Sequence, residues 1–235
     1  ILKAVSLKPD RLVTFSYAHV PWVNKDQLIL EKAGLPSSEV KSLIYQQTKS
    51  IMSAQGYVPI GLDHFVLPDD PLNVALNNGL LHRNFQGYCT RMTTGQVYAF
   101  GVTAISQLST AYSQNTRSIP QYIESINKGN IPVMRGYILN SEEQLAREVI
   151  TTLMCNERLN WSELAQLMKT PISEIKNRLT YDVSKLKEME EDGIITLNPE
   201  EIKVTKKGAL YVRNVAAIFD PLMRSGNSLH FSKPV

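Results

Sequence analysis

Between residues 12 and 65 one amphipathic helix lies between two short β-type runs, an order that leaves few folds open. The first run, "DRLVTFSYA", places Leu12, Phe15 and Tyr17 among polar residues and ends at "HVPW", where Pro21 lacks the N–H a ladder needs. The second, "YVPIGLDHF", delivers Asp63, His64 and Phe65 into the loop "VLPDDP". The helix between them, "PSSEVKSLIYQQTKSIMSAQG", has a Ser37/Ser38 cap, Val40, Leu43, Ile44, Ile51 and Met52 at helical spacing, and Gly56 as its stop. Strand, helix, strand predicts a right-handed βαβ unit in a parallel sheet, with chemistry at the carboxyl ends of the strands.

Downstream, "LNVALNNG" predicts one or two helical turns closed by Gly79, "LHRNFQGYCT" shows no periodicity of its own, and "QVYAFGVTAISQL" predicts a third strand. The pattern changes near Asn140. A helix capped at Ser141 with Glu142 and Glu143 in its first turn, a second over Trp161–Met168 and a third over 171–191 come first. Two short strands in "GIITLNPEEIKVT" and a last helix over 206–224 complete a winged-helix-like order. The expected fold class is α/β in two domains, 1–139 and a mostly helical 140–235 with a small β-hairpin.

No apolar run approaches the roughly 20 residues of a membrane helix, which excludes a spanning segment. The start, "ILKAVSLKPD", has neither an initiator Met nor a signal-peptide pattern and reads as an interior stretch of a longer chain. Net charge is +3 with no long basic run, so nothing demands a nucleic-acid partner. Cys89 and Cys155, far apart, fit neither a disulfide framework nor a paired metal motif, and imply a reducing, cytoplasmic setting.

Three stretches, 17–22, 63–65 and 82–88, follow predicted strands and are expected to face one pocket. His19 before Pro21 is either a base or a hydrogen-bonded loop residue, and Asp63 either holds the His64 imidazole or closes a turn. The third stretch is denser. Arg83 offers a planar fork for carboxylate or phosphate, His82, Asn84 and Gln86 offer neutral polar groups, and Gly87 lets a ligand approach the backbone. A rival reading is a winged-helix nucleic-acid binder using Lys203, Lys206, Lys207 and Arg213. Its recognition helix would carry Glu174, Asp182, Glu188, Glu190, Glu191 and Asp192, an acidity that favours a lid or docking role.

"GLDHFVLPDD", "LHRNFQGYCT" and "GVTAIS", with "LMCN" and "VTKKGALYVRNVAAIFD" downstream, resemble the carboxyl-terminal half of the oxygen-independent coproporphyrinogen III dehydrogenase (oxidase) family of radical S-adenosylmethionine enzymes. The match runs from about Phe15 to Asp220. The sister group of heme chaperone-like proteins, the alternative reading, carries different segments at HRNFQGY and GVTAIS. The resemblance implies the last strands of an incomplete TIM-type barrel before the helical domain. It also implies oxidative decarboxylation of two propionates of coproporphyrinogen III to vinyl groups in heme biosynthesis, using a [4Fe–4S] cluster and two S-adenosylmethionine sites.

By the same resemblance Ala18 and Ile105 line the two S-adenosylmethionine sites, Phe15 lies beside the first, and Phe85 and Gln86 lie near the second cofactor or the substrate. Arg83, His82 and Gln86 are the candidates for the substrate's carboxylates. No metal ligand is expected, because the family's CxxxCxxC motif is absent and two distant cysteines cannot replace it. The 235 residues alone should therefore be inactive. The chain departs from the family at "QVYAFG", with Gln96 and Val97 where "DLLGLG" is usual. The remaining expectations are no nucleic-acid or membrane partner, a monomeric full enzyme and a fragment able to self-associate through its exposed edge.

Overall fold

A computed structural model describes residues 1–91 and 95–224, so residues 225–235, the end of the expected second domain, lie outside the described residues. The described chain forms two compact units, residues 1–74 and 75–224. Among the described residues no helix is long and apolar enough to cross a membrane.

In the first unit α1 (Leu2–Val5), β1 (Arg11–Val13) and α2 (Leu28–Ala33) precede α3 (Ser38–Ala54). α3 is the helix the spacing predicts: Ser37 Oγ accepts the Val40 N–H at 3.3 Å, and Gly56 follows at φ +85°. β2 (Val58–Ile60) and β3 (His64–Val66) come next, and α4 (Pro71–Asn77) runs across the junction of the units.

The sheet is not parallel. Its order is β1-β3-β2, and β3 is antiparallel to both neighbours. The cause is local, since "YVPIGLDHF" is two strands rather than one. Gly61 at φ +58° lets Gly61, Leu62 and Asp63 reverse the chain, a connection far too short for a parallel crossover. β3 thus separates β1 from β2, which run in the same direction. β1 also stops earlier than the alternation predicts, at Val13, and the Thr14 N–H donates to the Asp63 carbonyl at 2.7 Å. Val5, Met52, Tyr57 and Phe65 form the core of this unit, and the Tyr57 hydroxyl donates to the Pro9 carbonyl at 2.7 Å. Buried Asp70 accepts from Arg11 Nε at 2.6 Å and from the Leu72 N–H at 2.7 Å.

The second unit opens with β4 (Leu81–Asn84) and β5 (Gly87–Thr90), an antiparallel hairpin in the stretch without periodicity. The strand expected through "QVYAFGVTAISQL" is broken. Val97 makes an isolated bridge to Gln107, Gly101 turns at φ +100°, and only β6 (Ile105–Gln107) is regular. β7 (Ala111–Asn115), α5 (Ile119–Asn127) and β8 (Val133–Ile138) follow, giving an antiparallel sheet of order β6-β7-β8.

α6 (Ser141–Asn156) is capped by Asn140, one residue before the expected Ser141. Asn140 Oδ1 accepts the Glu143 N–H at 2.9 Å, and Glu143 accepts the Asn140 N–H at 2.8 Å, a capping box. β9 (Arg158–Asn160) and α7 (Trp161–Met168) come next. The long third helix divides into α8 (Ile172–Arg178) and α9 (Val183–Glu191). Leu179 turns extended and is buried, and Asp182 caps the new helix, accepting the Ser184 N–H at 2.9 Å. β10 (Ile195–Leu197) and β11 (Glu201–Val204) form the expected hairpin, with β9 completing the order β10-β11-β9. Where one last helix is predicted there are a 3-10 turn over Gly208–Tyr211, α10 (Val212–Ala217) and α11 (Pro221–Arg224).

Leu145, Val149 and Leu153 of α6, with Leu159, Ile175, Val215 and Phe219, are at most 2% exposed and form the core. α6 packs against β4, β9 and α10.

Candidate functional site

The β4–β5 register pairs Leu81 with Thr90, His82 with Cys89, Arg83 with Tyr88 and Asn84 with Gly87, leaving Phe85 and Gln86 as a two-residue turn. Paired residues share a face and successive residues alternate, so Arg83 and Tyr88 occupy one face and His82 and Cys89 the other. Asn84 Oδ1 accepts the Gln86 N–H at 2.8 Å, which holds the turn and leaves Phe85 60% exposed. The half-buried Arg83 guanidinium lies 5.6 Å from the Tyr88 ring centroid.

His82 sits differently from an exposed donor. It is 5% exposed, its Nδ1 is 3.5 Å from an Arg91 guanidinium nitrogen, and Arg91 pairs with Glu148 at 2.6 Å. Burial, helped by the Arg91 charge, holds the imidazole below its ordinary pKa, so it is a neutral interior group at pH 7. The unfolded chain therefore takes up this proton first as pH falls below about 6.5, and the folded form loses stability there while keeping it above. We expect denaturant midpoints to fall between pH 7 and 5, and the fall to be shallower in His82→Gln. An identical pH profile for that variant would refute this role.

The thiols belong to the same interior. Burial pushes Cys89 up and Cys155 to about 12, so both stay protonated and do not fit the thiolate ligands of an iron–sulfur cluster. Among the described residues no three His, Cys, Asp or Glu side chains gather as a metal site.

The tip of the hairpin meets the neighbouring sheet. Phe85 stands edge-on to Tyr112 of β7, with centroids 5.4 Å apart and planes at 82°. Tyr112 is paired with Gln107 and Tyr137; two residues along, Gln114 is paired with Ile105 and Arg135. Phe85 and Ile105 therefore lie on one face of the β6–β7–β8 sheet. α6 covers part of that face: Arg147 lies 5.6 Å from the Tyr112 ring centroid and donates to the carbonyls of Leu108, at 2.9 Å, and Ser109. Tyr137 donates to the Glu143 carboxylate, which raises the phenol's pKa.

The two departures from the family pattern serve the backbone. Gln96 Oε1 accepts the Ser109 N–H at 3.0 Å, and Val97 exchanges N–H···O bonds of 2.8 and 2.9 Å with Gln107.

Phe15 and Ala18 belong to the first unit, where Phe15 is 81% exposed and Ala18 is exposed. Gln27 fixes their loop, its amide donating to the Ala18 carbonyl at 3.2 Å and accepting the Val20 N–H at 2.6 Å. His19 and Glu31 hydrogen bond at 2.6 Å, and His64 Nδ1 and Asp63 Oδ1 at 2.7 Å. Tyr112, Gln114 and Arg147 complete the face around Phe85 and Ile105 without any signal in the sequence pattern, because "AYSQN" alternates too little to declare a strand.

The family model described as HemN C-terminal domain matches residues 139–211. An oxygen-independent coproporphyrinogen III oxidase of Helicobacter pylori is 38% identical over 97% of this chain and 49% of its own length. One from Thermostichus vulcanus is 33% identical over 100% of this chain and 71% of its own length. The solved structure titled "Coproporphyrinogen III oxidase (HemN) from Escherichia coli is a Radical SAM enzyme" has a TM-score of 0.83 and 36% identity, over 94% of this chain and 50% of that one. The chain thus spans about half the length of most curated relatives it matches. With Phe85 and Ile105 on one sheet face and relatives of this similarity along its whole length, the chain belongs to the oxygen-independent coproporphyrinogen III oxidase family.

Proposed function

We infer that this chain is the substrate- and cofactor-facing half of an enzyme that decarboxylates two propionates of coproporphyrinogen III to vinyl groups, giving protoporphyrinogen IX. The observation that carries this reading is the sheet face shared by Phe85, Tyr112 and Ile105 in a chain of this family. A large apolar ring system with carboxylate arms needs an aromatic wall and neutral donors beside it, and Phe85 and the Gln86 amide provide both at the hairpin tip. Arg83 adds a cation already oriented by Tyr88. His82, neutral and buried, supports the hairpin from behind and is not assigned to the carboxylates.

When bound, S-adenosylmethionine and a [4Fe–4S] cluster would supply the hydrogen-abstracting chemistry, and neither Cys89 nor Cys155 is a candidate ligand for that cluster. This chain's part is binding: exposed Phe15 and Ala18 in the first unit, and Ile105, Phe85 and Gln86 in the second, contact cofactor or substrate through shape and main chain. The partial-barrel reading is supported by the similarity to the solved radical SAM enzyme structure and not by strand direction, since antiparallel β3 stands between β1 and β2. A winged-helix-like carboxyl-terminal domain from about Asn140 is supported by the order α6, β9, α7, α8, α9, β10, β11 and by the family match beginning at residue 139. Exposed Glu188, Glu191 and Asp192 put negative charge at the end of α9, which favours docking over nucleic-acid binding. A cytoplasmic location belongs to the same reading.

The test is the full-length protein containing this sequence, reconstituted without oxygen with iron and sulfide and given S-adenosylmethionine, a low-potential one-electron reductant, an electron acceptor and coproporphyrinogen III. A divinyl product with loss of two carbon dioxides is expected. Heme binding without any vinyl product would overturn the reading in favour of a chaperone-like protein.

A further inference from the structure

The cross-strand row next to Tyr112 holds a cation, Arg135. Gln114 is paired with Ile105 on one side and Arg135 on the other, so Ile105, Gln114 and Arg135 share the face on which Phe85 packs against Tyr112. This row lies about 6.8 Å along the strand from Tyr112, and its ends are roughly 9.5 Å apart across β7. α6 reaches Tyr112 through Arg147 and Tyr137 through Glu143, while Arg135 stays exposed.

Arg135 is held in one orientation. Its Nε donates to Gln114 Oε1 at 2.7 Å, and the Gln114 amide nitrogen donates to the Thr103 carbonyl at 3.0 Å. The Thr103 N–H in turn donates to the Thr116 carbonyl at 2.9 Å, fixing the strand entry. With Nε engaged sideways, the two terminal nitrogens remain as an end-on fork, the geometry that binds a carboxylate through two parallel hydrogen bonds. Four other arginines of this unit are engaged: Arg91 with Glu148, Arg147 with the Leu108 and Ser109 carbonyls, Arg158 with Glu163 and Glu201, Arg178 with Glu174. Among the described residues Arg135 has no carboxylate partner.

We propose that Arg135 is a carboxylate-binding residue of this face, oriented by Gln114, and that it receives one acidic arm of the macrocycle while Phe85 and Ile105 meet its apolar body. The proposal rests on the reading of this face as the substrate's, and the test separates the two. In the full-length protein, binding of fluorescent coproporphyrin III, a tetracarboxylate, is compared with binding of its tetramethyl ester, for the natural sequence, Arg135→Gln, Arg135→Lys and Gln114→Glu.

The natural protein should prefer the acid. Arg135→Gln should weaken acid binding about tenfold or more and leave the ester unchanged. Arg135→Lys should fall between, because one ammonium cannot reproduce the fork. Gln114→Glu should resemble Arg135→Gln, since the new carboxylate occupies the guanidinium. Acid binding unchanged in Arg135→Gln overturns the proposal and leaves the substrate face standing. Equal loss of acid and ester in that variant also overturns it, by assigning Arg135 a structural role. If the natural protein binds neither compound, the reading of the face fails and the proposal with it.

Discussion

Gly208→Ala should destabilise the second unit by about 3 kcal/mol or more, lowering its melting temperature by roughly 10 °C. A Cβ on Gly208 would stand 1.9 Å from the Ile194 carbonyl oxygen, 2.8 Å from its carbon and 3.0 Å from its Cα. All three are backbone atoms, so no side-chain rotation relieves the overlap. The contact exists because the turn after β11 is tied down twice: Thr205 N–H donates to that same Ile194 carbonyl at 2.9 Å, and Thr205 Oγ1 donates to the Gly193 carbonyl at 2.7 Å while accepting the Gly208 N–H at 3.0 Å. Gly208 has no positive φ, so the requirement is space rather than conformational freedom. Calorimetry of Gly208→Ala against the natural sequence checks this, and a shift under 2 °C would count against it. The "TKKGAL" stretch, with its flanking lysines, thus owes its glycine to packing.

Leu153→Ala is expected to cost about 3–4 kcal/mol. Leu153 is 0% exposed on α6, and α6 packs against β4 of the hairpin and also against β9 and α10. The cavity therefore loosens both at once. Tyr88 of the hairpin donates to the Met154 carbonyl at 3.3 Å, one residue away, so weaker porphyrin binding should accompany the lower melting temperature. If melting falls while binding at low temperature is unchanged, the hairpin is held independently of α6 and this coupling is wrong.

The helices were the most legible part of the sequence, for reasons visible in their ends. α3 and α7 carry strong periodicity and clear caps, and both lie where the spacing predicts them. The break between α8 and α9 was also written in "LTYDVS", because Asp182 can cap a helix, but the continuous apolar spacing on either side masks it. Strand direction was not legible. It depends on whether Gly61 continues a strand or reverses it, and one positive-φ glycine turns an expected parallel unit into an antiparallel one. For the site, the hairpin's residue types were readable and its geometry was not. Polarity made His82 look like a donor to ligand, whereas register puts it on the interior face. Gln114 and Arg135 become neighbours only through cross-strand pairing.

The β4–β5 register also makes the spacing of the motif as informative as its letters. The pairing runs unbroken from Leu81 with Thr90 to Asn84 with Gly87 around a two-residue turn, so there is no slack to absorb a length change. Deleting one residue within β4 would exchange the faces, turning the imidazole outward and driving a guanidinium toward the Arg91–Glu148 pair. Anyone transplanting this hairpin tip into another scaffold would need to move the whole ten-residue ladder, from Leu81 to Thr90, as one piece.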